Sequence, residues 1–156
     1  MEALLRLVRR LLSKEQRRFL KFCLVGASGV PVNLFFTWIG HRALFPGLGD
    51  EARTAAASLL GIVVSIFTNF LLNDLWTWAD REKATGRSSL LARLGRFYLV
   101  CSIASAIQFG TAMSLGVWLR LHYLLAQLAG IALAMAVNFV VNNAWTFRDR
   151  PPPTAP

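Results

Sequence analysis

Apolar positions along this 156-residue chain follow neither a two-residue nor an amphipathic helical period. They gather into four blocks: Phe22 to Leu44, Ala55 to Trp78, Phe97 to Leu119 and Tyr123 to Phe147. Each block exceeds about 20 residues, the length at which a helix crosses a ~30 Å hydrocarbon layer. Helices in the cores of soluble domains seldom run so far without a charge. The pattern predicts an all-α membrane protein of four transmembrane helices, with spans near residues 19–44, 54–78, 97–119 and 123–147. The short polar connection around Leu121–His122 makes the last two helices a tight hairpin.

Outside the membrane domain of residues 17–150, the two ends read differently. In residues 1–16, Leu4, Val8, Leu11 and Leu12 share one helical face, with Arg6, Arg9, Arg10 and Lys14 mostly on others. That arrangement suits a basic amphipathic helix on an anionic leaflet, and equally a basic tail that only fixes topology. Ser13-Lys-Glu-Gln16 reads as a capping box for the helix that follows. The first apolar block is too long for the core of a signal peptide. Residues 151–156, PPPTAP, read as a disordered tail.

Within the blocks, one polar phrase is written twice. Asn69 to Arg81 reads NFLLNDLWTWADR and Asn138 to Arg150 reads NFVVNNAWTFRDR, with seven of thirteen positions identical. The offset is 69 residues, while Phe19 and Phe97, and Cys23 and Cys101, suggest an offset of 78 for the preceding helices. The nine-residue difference is assigned to a longer outer loop in the first half, including FPGLGDEAR. The chain therefore reads as two helical hairpins in a parallel repeat, with a pseudo-two-fold axis along the membrane normal. On ideal helices Asn69, Asn73 and Trp76 form one stripe, and Asn138, Asn142 and Trp145 its partner. An amide in hydrocarbon is costly unless hydrogen-bonded, so these stripes face the bundle interior or a wet cavity. They serve as interhelical glue or as a site for a polar head group. Trp76 and Trp145 suit aromatic anchors at the inner boundary.

Charge then sets the orientation. Only 16% of residues are charged, yet the formal net charge is +9, and fourteen of the 17 Lys and Arg fall before the first block, between the second and third, or after the fourth. The positive-inside rule places the N and C termini and the middle loop in the cytoplasm. Topology so explains the basic balance, and nucleic acid is not needed as a partner. Arg17, Arg18, Lys21, Arg93 and Arg96 line the inner rim beside the Asn stripes; Arg18 and Arg96 each precede the Phe that opens a helix. A guanidinium fork matches phosphate, so these two are expected to converge on a lipid phosphate, or else to contact anionic phospholipid. Asp74, the one carboxylate inside the blocks, is either an interfacial ion pair with Arg18, Lys21 or Arg96, or a proton or sugar-hydroxyl acceptor.

The run RRFLKFCLVGASGVPVN, then NFLLNDLWTW, then a second hairpin ending NFVVNNAWTF, resembles the GtrA-like family of small four-helix membrane proteins. The likeness covers about Arg17 to Arg150, and Asn-x-x-x-Asn-x-x-Trp-Thr-aromatic is its most specific part. The resemblance implies handling of polyprenyl-phosphate-linked sugars in cell-envelope polysaccharide glycosylation at the bacterial inner membrane. The implied role is a non-enzymatic flippase for the lipid-linked sugar, or an anchor for a membrane glycosyltransferase. One departure stands out. The residue after the second Asn is often basic in the family, whereas here it is Asp74 and Asn143. The candidate lipid-phosphate and sugar set is Asn69, Asn73, Asp74, Asn138, Asn142, Asn143, Arg18, Lys21, Arg96 and Asn33.

Other chemistry is excluded by spacing. Cys23 and Cys101 are isolated packing residues, and His41 and His122 have no partner at metal-binding spacing. No P-loop or nucleophile elbow occurs, and neither cofactor nor metal is expected. Gly26, Gly29 and Pro31 near Asn33 are placed to let helices approach or to kink the first helix. Four helices leave little room for a sealed cavity, so the expected partners are membrane lipids, the lipid-linked sugar, a glycosyltransferase and a second copy of the chain.

Overall fold

The computed structural model describes residues 13–83 and 86–149. The amphipathic pattern of residues 1–12 and the tail at 151–156 lie outside the described residues. Among the described residues there are four α-helices: α1 (Lys14–Ile39), α2 (Asp50–Leu72), α3 (Arg87–Met113) and α4 (Tyr123–Val141). Each runs directly into one five-residue π-helical turn: Gly40–Leu44, Asn73–Thr77, Ser114–Trp118 and Asn142–Thr146. With those turns the four helices are long and apolar enough to cross a membrane, and no strand occurs among the described residues. The outward faces carry Leu24, Leu34, Leu59, Leu128 and Val140, the side chains that hydrocarbon favours.

Two helices begin well before their apolar blocks. The Ser13 hydroxyl accepts from the Gln16 N–H at 3.2 Å while the Gln16 side chain accepts from the Ser13 N–H at 2.8 Å. The expected capping box is therefore formed, and it starts α1 at Lys14. Gly86, at φ 101°, opens α3 at Arg87, ahead of the apolar run at Phe97. Good helix formers such as Leu, Ala and Arg extend both helices past the hydrocarbon-length stretch. α1 also continues through Pro31 to Ile39.

The chain divides into two compact units, residues 1–79 and 80–156. In the first, α1 packs on α2; in the second, α3 packs on α4. The seam of the first hairpin buries Phe22, Val25 and Gly29 against Ala57, Gly61, Ser65 and Phe70. The second buries Phe97, Val100 and Ala104 against Ala126, Gly130 and Ala134. Phe22 and Phe97, Val25 and Val100, and Gly29 and Ala104 are each 75 residues apart. The offset of 78 expected from Phe19/Phe97 and Cys23/Cys101 is thus corrected to 75. Against 69 for α2 and α4, the difference between the halves is six residues and not nine. The buried face sets the equivalence, and Cys23 and Cys101, both only half-buried, lie at different places on it.

Small residues make each crossing tight. A Cβ built on Gly61 would sit 2.6 Å from the Asn33 carbonyl oxygen, and one on Gly130 would sit 2.6 Å from that of Gln108. Asn33 and Gln108 are again 75 apart, so both hairpins cross at the same point by the same device. Helices with small residues at the contact approach closely and gain dispersion where lipid offers no hydrophobic drive. The second turn is short, as expected: Leu121 N–H donates to Leu115 O at 3.0 Å, Arg120 takes φ 49°, and His122 caps α4 through the Leu124 N–H.

Candidate functional site

The repeated phrase forms the end of α2 and of α4, and the π turn changes which of its residues face inward. Trp78 N–H donates to Asn73 O at 2.9 Å, and Phe147 N–H to Asn142 O at 2.9 Å, each spanning five residues. A wider turn advances fewer degrees per residue, so the inward stripe moves one position along. The expected i, i+4, i+7 stripe does not persist. Asn73, Thr77 and Trp78 are buried in the first hairpin and Asn142, Thr146 and Phe147 in the second. Trp76 and Trp145 turn outward, 44% and 39% exposed. The buried rings meet the opposite helix edge-on: Trp78 on Phe22 with centroids 5.8 Å apart, Phe147 on Phe97 at 6.0 Å. Each such pair is worth about 0.5–1.5 kcal/mol beyond its burial.

The outward tryptophans each carry a cation. Lys21 Nζ lies 5.3 Å from the centre of the Trp76 ring and donates to the Trp76 carbonyl at 3.2 Å. The Arg96 guanidinium lies 5.5 Å from the centre of the Trp145 ring. Lys21 and Arg96 are 75 apart, immediately before Phe22 and Phe97, so they are the matched basic pair. The pairing of Arg18 with Arg96 does not hold. Arg18 is buried, 4% exposed, and forms an ion pair with Glu15 one turn back on α1. A cation over tryptophan is attracted by the ring quadrupole.

Amides behind the cations are bonded unequally. Asn142 Nδ2 donates to Asn138 Oδ1 at 2.6 Å and to Asn138 O at 2.9 Å, and Asn138 Nδ2 points to Cys101 Sγ at 3.8 Å. Asn69 lies over Gly29, where a Cβ would meet its Nδ2 at 2.6 Å. Five buried oxygens of the phrase find no partner among the described residues: Asn69 Oδ1, Asn73 Oδ1, Thr77 Oγ1, Asn142 Oδ1 and Thr146 Oγ1. Asp74 is 8% exposed. Asn143 is held by Arg81, whose guanidinium donates to its Oδ1 at 2.7 Å and its carbonyl at 3.3 Å, and which pairs with Asp149 at 3.6 Å. Asn33 accepts from Thr37 Oγ1 at 3.3 Å, at the crossing and away from the phrase. Sequence reasoning missed Arg81, Gln108, Thr77 and Thr146. The Thr of the repeated Trp-Thr was the available signal, since it recurs in both copies. Among the described residues no cluster of His, Cys, Asp and Glu is placed to hold a metal.

Residues 21–147 match the family described as GtrA/DPMS, transmembrane domain. The chain belongs to the GtrA/DPMS family. With four helices of spanning length, this family member is a multi-pass membrane protein. A relative from Pyrococcus furiosus, named dolichol-phosphate mannosyltransferase, is 35% identical over 130 residues, which is 83% of this chain and 34% of the relative. This GtrA/DPMS chain therefore matches about a third of that relative's length. The match begins at Lys21 and ends at Phe147, so it takes in both cation–tryptophan pairs and all four of the π turns described above.

Proposed function

We propose that this protein binds a polyprenyl-phosphate-linked sugar and moves its head group across the bacterial inner membrane for cell-envelope glycosylation. It does so without bond-making chemistry of its own. The observation that carries the reading is the matched geometry of the two phrase ends. In each hairpin a cation stands over an outward tryptophan, and behind it lie buried Asn and Thr oxygens. An anionic lipid phosphate is attracted by Lys21 in one hairpin or by Arg96 in the other, the polar oxygens accept from head-group hydroxyls, and the polyprenyl tail stays against the apolar outer faces. Charge bias puts this end, with both termini, on the cytoplasmic side.

A second reading has its own support. The match to one third of a protein named as a mannosyltransferase favours a module that holds a lipid substrate, or the enzyme itself, at the membrane. The two readings part in a transport assay. Purified protein is reconstituted into liposomes with a fluorescent farnesyl-phosphate hexose, and its exposure to an impermeant quencher is followed. The flippase reading expects movement well above empty liposomes, reduced by Lys21→Gln with Arg96→Gln. Movement no faster than in empty liposomes, with retained co-purification of a membrane glycosyltransferase, would leave the anchor reading.

A further inference from the structure

The two hairpins share one backbone plan but differ in side chains at matched positions. Thr37 corresponds to Ala112, Ser65 to Ala134, Gly29 to Ala104 and Asp74 to Asn143, by the offsets of 75 and 69. The first seam is therefore polar from Thr37 through Asn33, Ser65, Asn69 and Asn73 to Thr77. The second is interrupted by alanines. Bonding differs in the same direction. Asn138 is engaged at both ends of its amide, by Asn142 and by Cys101. Its counterpart Asn69 leaves Oδ1 without a partner among the described residues, so the first hairpin holds three unpaired oxygens, with Asn73 Oδ1 and Thr77 Oγ1, against Asn142 Oδ1 and Thr146 Oγ1 in the second. Asn73 and Thr77 are nearly fully buried.

The geometry points to the first hairpin as the half that holds the sugar, through Asn69, Asn73 and Thr77. This rests on the lipid-linked-sugar reading above and narrows it to one seam. Three oxygen acceptors beside a carboxylate match a ligand rich in hydroxyl donors, and Lys21 beside them supplies the charge for the adjoining phosphate. Closed on unpaired acceptors, the first seam gains hydrogen bonds when α1 and α2 part onto a sugar. The second, with Asn138 already satisfied, gains less, since it offers only Asn142 Oδ1 and Thr146 Oγ1. Gly29 makes the difference local: with no Cβ there, Asn69 lies across α1, whereas Ala104 fills that place in the second hairpin.

The full-length protein in detergent micelles is titrated with farnesyl phosphate, farnesyl-phosphate glucose and farnesyl-phosphate mannose. Wild type is expected to bind at least one sugar conjugate about 5-fold or more tighter than farnesyl phosphate, because polar groups built for hydroxyls reject ligands lacking them. Gly29→Ala displaces only the tip of a flexible side chain and should bring that ratio close to one, with farnesyl-phosphate affinity unchanged. Thr77→Val should also lower the ratio, and Ala104→Gly should leave it intact. No sugar-dependent gain in wild type, or an equal loss from Ala104→Gly, overturns the assignment. If wild type binds no farnesyl phosphate, the lipid-phosphate reading falls, and labelling decides the seam by itself. In a background lacking Cys23 and Cys101, Ser65→Cys should react with a methanethiosulfonate ammonium reagent about 10-fold faster than Ala134→Cys, the polar seam being the one that opens to solvated ligands. Equal rates would overturn the asymmetry.

Discussion

Replacing Gly61 by alanine tests the hairpin crossing with a built-in control. The added Cβ would lie 2.6 Å from the Asn33 carbonyl oxygen, and it would also meet the Thr37 hydroxyl. Carbon meets a carbonyl oxygen comfortably at about 3.3–3.6 Å, so the backbones must separate by roughly 0.7–1 Å. Overpacking of this kind costs about 1–3 kcal/mol. Alanine returns about 0.5–1 kcal/mol in a helix interior, so the net loss is about 0–2.5 kcal/mol. Gly26 and Gly110 have nothing within 4 Å of the same added atom. There alanine should stabilise by about 0.5–1 kcal/mol. Far-UV circular dichroism across a gradient of sodium dodecyl sulfate in mixed micelles gives the midpoints. Gly61→Ala should unfold earliest, Gly130→Ala next to it, and Gly26→Ala latest. Thr37→Ala should not rescue Gly61→Ala, because the backbone carbonyl remains in the way. A Gly61→Ala midpoint equal to or above that of Gly26→Ala would refute the crossing.

Trp78→Ala and Phe147→Ala each remove a fully buried ring and should cost about 3–5 kcal/mol in the same unfolding assay. Lys21→Gln should alter Trp76 fluorescence and Arg96→Gln that of Trp145, with farnesyl-phosphate affinity falling about 3- to 10-fold in either, read by titration at low salt. Cysteines placed at Arg87 and at Gly49 should react with an impermeant reagent from opposite sides of the membrane, Arg87 from the cytoplasm; a shared side would end the two-hairpin topology.

How much of this was readable in advance depended on the length scale. Four spans follow from block length alone, because thirty ångströms of hydrocarbon dictates twenty apolar residues whatever their identity. The hairpin repeat was visible in the doubled phrase. The register of α1 against α3 was not, since Phe19, Phe22 and Phe97 are indistinguishable until burial shows that Phe22 and Phe97 take the same place. The π turns were equally hidden. Asn73 and Trp76 keep perfect α spacing on paper, and only the five-residue bond from Trp78 to Asn73 turns Trp76 outward and Thr77 inward. Arg18 illustrates a third limit. Its guanidinium pairs with Glu15 on its own helix, a partner one turn back that the sequence offered but sequence reasoning passed over.

The clamp made by Arg81 has a consequence for anyone who would divide this chain. The residue closes the first copy of the repeated phrase, yet its guanidinium braces Asn143 and Asp149 in the second hairpin, where Glu82 N–H also meets Asp149 at 3.2 Å. The compact units accordingly part between Ala79 and Asp80, inside the phrase and not in the loop beyond it. The halves are therefore not interchangeable cassettes. A separately expressed second hairpin that starts at Gly86 would lack its own brace, whereas one that starts at Asp80 carries it. A first hairpin cut after Ala79 ends with Trp78 already seated on Phe22.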